Sequence, residues 1–193
     1  MEVAVIGTGF IGGILGNALS RSGHVVTFGS RHPDTEEVVG DTKPTVASVA
    51  DALADCDVVI LALPGAAVTE LATSYRSALE GKLIIDATNR MGEPVSNSRS
   101  SLPAGIRYAR AFNTLGGENM ADPMFEGGPA DMFFSAPEND RSAVETVIEA
   151  VGLRPVYVGQ DQEDLIDCLF RLWIALAIEQ GRGRRLAFRI LES

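Results

Sequence analysis

The sequence predicts an α/β fold: a doubly wound, mostly parallel sheet followed by a C-terminal helical extension. Three observations carry this reading. Short β-branched runs alternate with helical patterns along the chain, which is the signature of successive βαβ units. Several of those runs are apolar on both faces, as strands covered by helices above and below must be. The 193 residues are 46% hydrophobic and 22% charged, close to a globular average and enough to close one sizeable core.

The run at 2–6 (EVAVI) is the first strand, and Gly7-Thr8-Gly9-Phe10-Ile11-Gly12 follows it directly, opening a helix over about 10–21. Each glycine has a physical use. Gly7 permits the tight turn, Gly9 removes a side chain where a pyrophosphate must lie against backbone N–H groups, and Gly12 lets helix and strand pack closely. The anion would then sit on the positive end of the helix dipole. This reading makes the fold a Rossmann-type nucleotide-binding one; a glycine turn made for packing alone is the competing account. The second strand, 25–28, runs into Ser30 and Arg31, 18 residues beyond Gly12. An NAD site holds a carboxylate near that point for the ribose 2′-hydroxyl. A hydroxyl and a guanidinium can instead donate to a 2′-phosphate, so the expected cofactor is NADP(H). Solvent is the ordinary place for a loop arginine, and His32, before Pro33, reads as an exposed turn residue.

The remaining elements follow in order: helix 46–54, strand 57–63, helix 65–79, strands 82–88, 107–112 and 131–135, helix 138–150, strand 154–158 and a long helix over about 161–180. Gly23 and Gly81 stand where helix C-termini favour a left-handed residue. The polar segment 90–103 reads as a long loop beside the carboxyl ends of the strands. Residues 1–160 are expected to form the nucleotide-binding domain and 161–193 a helical extension. The stretch LIDCLFRLWIALAI (165–178) is apolar nearly all round, interrupted by Asp167 and Arg171, and such a helix needs cover on more than one side. A homodimer contact is the expected cover. Asp167 and Arg171 are spaced to pair along a helical turn. Trp173 reads as core, and Cys56 and Cys168 as structural thiols. The tail GRGRRLAFRI carries four arginines; it is either a solvated end or a flap over the cleft that meets an anionic substrate.

Composition narrows the partners. A formal charge of −10 and a pI near 4.6 argue against nucleic acid or an anionic membrane surface. Two cysteines can form neither a disulfide framework nor a zinc-binding pair. No basic leader precedes the first apolar run, and the longest apolar region is too short to span a bilayer, so the expected location is cytoplasmic. No metal-ligand set is expected. Nor is a catalytic base: the lysines, Lys43 and Lys82, precede the second half, and His24 and His32 flank the second strand on the adenosine side. Reduction of a carbonyl needs a proton donor beside it. Hydride exchange with a flavin-like ring needs only two stacked rings, aligned and shielded from water.

The loop GTGFIGG, the GSR after the second strand, LALP at 61–64, DATN at 86–89 and above all ARAFNTLGGENMADP at 109–123 resemble the family of coenzyme F420-dependent NADP oxidoreductases. The cytosolic NADPH domains of membrane metalloreductases are similar too. The resemblance covers roughly residues 1–160. It implies that Thr8, Gly9, Phe10 and Ile11 hold the pyrophosphate and that Ser30 and Arg31 hold the 2′-phosphate. It further implies that Leu63 and Pro64 line the nicotinamide side, that Ala111 and Asn113 border the ring-stacking cleft, and that F420 or a flavin is the second substrate. Two departures stand out: Asp34 and Thr35 fall where a further basic residue often follows, and the match weakens from Gln160 on. Asn89 and Asn113, each after a strand, can donate to and accept from a nicotinamide carboxamide, although as turn formers they need no ligand. Two other functions stay open. One is a non-catalytic NADPH sensor whose nicotinamide space is filled by Met91 or Phe112; the other is an imine or pyrroline reductase, weakened by the short helical part.

Overall fold

The computed structural model describes residues 1–35, 44–90 and 97–191; Met91 and Lys43 lie outside the described residues. Six parallel strands form the main sheet: β1 (Glu2–Ile6), β2 (Val25–Ser30), β3 (Thr45–Ser48), β4 (Val58–Leu61), β5 (Leu83–Asp86) and β6 (Arg107–Arg110), in the order β3-β2-β1-β4-β5-β6. This is the Rossmann strand order, reversing direction of growth between β1 and β4. Helix α1 (Phe10–Arg21) connects β1 to β2; α2 (Val49–Ala54) lies between β3 and β4; α3 (Val68–Ser74) and α4 (Arg76–Leu79) lie between β4 and β5.

Side chains alternate across the sheet, and both faces are dry. Val3, Val5, Val58, Ile60, Leu83 and Ile85 join one core with Leu15 and Leu19 of α1. Their neighbours Ala4, Ile6, Val59, Leu61 and Ile84 join the other with Leu53, Val68 and Leu79. Strands apolar at successive positions are the consequence, as the sequence pattern anticipates. The helix over the first core packs closely because it is glycine-rich: a Cβ on Gly16 would stand 2.2 Å from the ring of Phe28.

Beyond β6 the chain forms α5 (Gly117–Ala121), a short hairpin of β7 (Met124–Phe125) and β8 (Gly128–Pro129), then β9 (Asp131–Phe134), α6 (Arg141–Ala150), β10 (Arg154–Tyr157) and α7 (Glu163–Ile174), which ends in a π turn at Ala175–Glu179. The strands β9 and β10 do not extend the main sheet in the regular way. They pair in parallel with each other and touch it through one antiparallel bridge, Arg110 to Ser135.

Several expectations need correction. Residues 45–48 are strand rather than helix, because β-branched Thr45 and Val46 pair with β2 and Ser48 then caps α2 by accepting from Asp51 N at 3.1 Å. Asp167 does not pair with Arg171: it turns inward to Arg110, while Arg171 is exposed and donates to Cys168 Sγ at 3.1 Å. Cys168 is exposed rather than packed in the core, because α7 presents Ile166, Phe170 and Trp173 inward and Cys168 falls on the other face; Cys56 is buried as expected. The arginine tail lines neither cavity; its arginines are solvent-exposed, as a solvated end would have them, but its backbone is pinned to the domain. Asn119 Nδ2 donates to the carbonyls of Arg184 and Leu186, Trp173 Nε1 also donates to Leu186 O, and Asp131 N donates to Phe188 O. Arg184 pairs with Glu118, and Arg185 with Asp122, so these guanidinium groups are neutralised by the chain itself.

Candidate functional site

The glycine loop forms the floor of the site. Gly7 has φ of 117°, reachable at little cost only without a Cβ, and a Cβ there would also strike Ala62 O at 2.3 Å. A Cβ on Gly12 would lie 1.9 Å from Gly7 O, whereas one on Gly9 would meet nothing within 4 Å. Gly7 and Gly12 are thus required by the protein's own packing, and Gly9 faces open space. Gly9 is also the N-cap of α1, with no side-chain cap and no acidic residue in the first turn. An anion is the natural complement of such a helix start.

Two cavities meet over this loop. One, of about 420 Å³, is lined by Gly7, Thr8 and Gly9, by Ser30, Arg31 and His32 after β2, and by Glu70, Ser74 and Tyr75 beyond β4. Ser30 is buried and its hydroxyl accepts from His32 N at 3.0 Å, which fixes it on the wall, while Arg31 is exposed. The second, of about 280 Å³, is lined by Gly9, Phe10, Ile11, Ala62, Leu63, Pro64, Ala87, Thr88 and Asn89. Gly9, Ala62, Leu63 and Pro64 belong to both. The pair makes a continuous trough along the carboxyl ends of β1, β2, β4 and β5, at the point where the strand order reverses.

Behind the second cavity stands a buried polar cluster that sequence reasoning missed. Arg110 is fully buried; its Nε and Nη2 donate to Asp167 Oδ1 at 3.0 and 2.8 Å, and its Nη1 donates to Thr88 O at 2.5 Å. Asp86 is equally buried and accepts from Thr88 N, Thr88 Oγ1, Ser98 N and Tyr108 OH at 2.6 to 2.9 Å. Burial, followed by the Asp86 carboxylate, holds the Tyr108 phenol well above its ordinary value of 10, so it keeps its proton and serves as a fixed hydrogen-bond donor to Asp86. A signal existed in the chain: Asp86, Tyr108 and Arg110 fall on one face of the paired strands β5 and β6, where only apolar residues are cheap.

Most of the sequence-predicted residues come together here. Gly7 to Ile11, Ser30, Arg31, Leu63, Pro64 and Asn89 line the trough, and Gly12 packs beneath it. Ala111 and Asn113 do not border it. Both are fully buried, and Asn113 lies behind the loop, its Nδ2 donating to Thr88 O at 3.0 Å and to Asn89 Oδ1 at 3.2 Å. Asn113 Oδ1 is buried without a hydrogen-bond partner among the described residues. Phe112 does not fill the nicotinamide space either: it is 1% exposed within the core and takes a left-handed φ of 66°, a conformation that costs a bulky residue energy. Met91 lies outside the described residues. Among those residues no cluster of His, Cys, Asp and Glu could hold a metal, and no helix is long and apolar enough to cross a membrane.

Comparison with known proteins shows what this geometry is similar to. Residues 2–90 match the model of the family described as NADP oxidoreductase, coenzyme F420-dependent. The matched segment is 89 of the 193 residues, just under half of the chain. That half is an NAD(P)(H)-binding domain. Among solved structures, a chain from Arthrobacter sp. FB24 designated a "putative f420 dependent nadp-reductase" is 24% identical, with a TM-score of 0.80 and coverage of 100% of both chains. An imine reductase from Bacillus cereus BAG3X2 is 18% identical, with a TM-score of 0.72 and coverage of 93% of this chain and 62% of that one. These likenesses are of fold. A glycerol-3-phosphate dehydrogenase [NAD(P)+] of Pseudomonas fluorescens SBW25 is 26% identical over 176 residues, 83% of this chain and 51% of that protein. The chain thus spans about half the length of the curated relatives it matches.

Proposed function

We propose that the protein is an NADP(H)-dependent oxidoreductase that passes hydride between NADP(H) and a flavin-like acceptor such as coenzyme F420. The observation that carries this reading is the lining of the second cavity: none of its nine residues ionises. A lining with no acid or base among the described residues suits an acceptor ring that is itself the electron sink better than it suits a carbonyl. Bound NADPH would supply the hydride from its nicotinamide ring, the acceptor taking its accompanying proton from solvent.

The chain's residues would bind and orient. Backbone N–H groups at Thr8 to Ile11 cradle the pyrophosphate, and Ser30 and Arg31 meet the 2′-phosphate. Leu63 and Pro64 form the apolar wall beside the nicotinamide, shielding it from water, and Asn89 faces its carboxamide. Leu165, Leu172 and Ile178, each about half exposed along α7 and its π turn, support the further proposal that a second copy covers this face, which light scattering would test.

The decisive experiment mixes the purified protein with NADPH and, separately, F420, a flavin and a panel of small imines, following absorbance at the nicotinamide band. Turnover with F420 or flavin is expected. Turnover with imines alone would replace the acceptor class, and NADPH binding without turnover would favour a sensor.

A further inference from the structure

Asn89 lines the nicotinamide cavity, and its carboxamide is held from behind. Arg110 Nη2 and Asn113 Nδ2 both approach Asn89 Oδ1, at 3.3 and 3.2 Å. Both atoms are donors, so the oxygen must face them and the NH2 group must face away. Asn89 Nδ2 has no partner among the described residues. Arg110 cannot drift from this duty: Asp167 takes two of its N–H groups, Thr88 O takes another, and the backbone of Arg110 is bridged to Ser135. Asp167 is in turn fixed by Asn97 Nδ2 at 2.7 Å. The carboxylate that anchors this chain comes from α7, about eighty residues on from Asn89 in sequence and outside the segment matched by the family model.

We infer that Asp167 is a positioning residue: through Arg110 it locks the Asn89 carboxamide with its NH2 toward the cavity, presenting one N–H donor to the carbonyl oxygen of a nicotinamide carboxamide. The C-terminal helix thereby fixes the orientation of a cavity-facing donor, without itself lining the cavity. This inference rests on the proposed function, because it takes the second cavity to hold the nicotinamide.

The test compares calorimetric binding of NADPH with that of 2′,5′-ADP, which carries the 2′-phosphate but no nicotinamide. Asn89→Ala is expected to weaken NADPH about tenfold, the loss of one hydrogen bond, and to leave 2′,5′-ADP within about twofold. Asp167→Asn is expected to give the same split, and combining it with Asn89→Ala should add no further loss. Removing one charge can unfold a buried pair, so the double substitution Arg110→Met with Asp167→Leu serves as a second route, since apolar replacement of both partners is often tolerated. It should reproduce the split. Equal weakening of both ligands, an unchanged NADPH affinity, or additive losses with Asn89→Ala would overturn the inference while leaving the proposed function standing. Failure of the wild-type chain to bind either ligand would overturn that function and this inference with it.

Discussion

At the scale of single residues, Gly9 and Gly12 look alike in the sequence and differ in their surroundings. Gly12→Ala drives a Cβ to 1.9 Å from a backbone oxygen, and overpacking of that kind costs about 2 kcal/mol or more. For a chain of this length the melting temperature should fall by roughly 4–8 °C. Gly9→Ala meets no protein atom within 4 Å, so its melting temperature should match wild type while NADPH binding drops sharply. A comparable thermal loss in both variants would refute the division of labour. Arg31 is the second residue worth isolating. Arg31→Ala should weaken NADPH about tenfold, the low end for a charge-assisted hydrogen bond at an exposed site, and leave NADH unaffected. Equal weakening of the two nucleotides would show that the guanidinium does not read the phosphate. The glycine spacing and the Ser-Arg pair were legible because local rules demand them: one governs backbone approach, the other charge at a strand end. Arg110 was not, because its importance lies in partners 24 and 57 residues away in sequence.

At the scale of elements, the C-terminal tail behaves as a strap over α5 and β9. Glu118 is held below its ordinary value of 4.5, chiefly by the hydrogen bond from Arg184. A carboxylate depressed in the folded state stabilises fully above its unfolded value, and that contribution is lost as pH falls through the lowered folded one. Acidification below about pH 4.5 should therefore loosen the strap first, raising hydrogen exchange at Phe188 to Ile190. Glu118→Gln should remove that acid-dependent step; a persistent step would show that the Glu118–Arg184 pair does not hold the strap. The strands of the main sheet were readable from their apolar runs. The strap was not, since its order derives from carbonyls of Arg184 and Leu186 captured by Asn119 and Trp173, contacts that leave no periodicity. The short strand at Thr45–Ser48 was absorbed into a helix for a related reason: four residues carry too little pattern to separate a strand from the cap that follows it.

At the scale of the whole molecule, the net charge of −10 opposes the approach of an anionic dinucleotide. Raising ionic strength from about 0.01 to 0.1 M shortens the screening length from about 30 to 10 Å. That damps the far field while sparing contact at Arg31, so stopped-flow association of NADPH should accelerate over this range. Deceleration would mean that the local cationic field dominates the encounter. Alternation of apolar runs and helices was enough to yield the architecture, yet it could not show that β9 and β10 leave the main sheet, because the register between strands is settled by tertiary contact.

The four residues common to both cavities, Gly9, Ala62, Leu63 and Pro64, carry no proton that can be gained or lost near neutrality. A diphosphate spanning that junction would be gripped by main-chain amides alone, with equal strength in mildly acidic and mildly alkaline buffer. Any acidity dependence of cofactor capture would then enter at the adenosine end, through the ester phosphate itself.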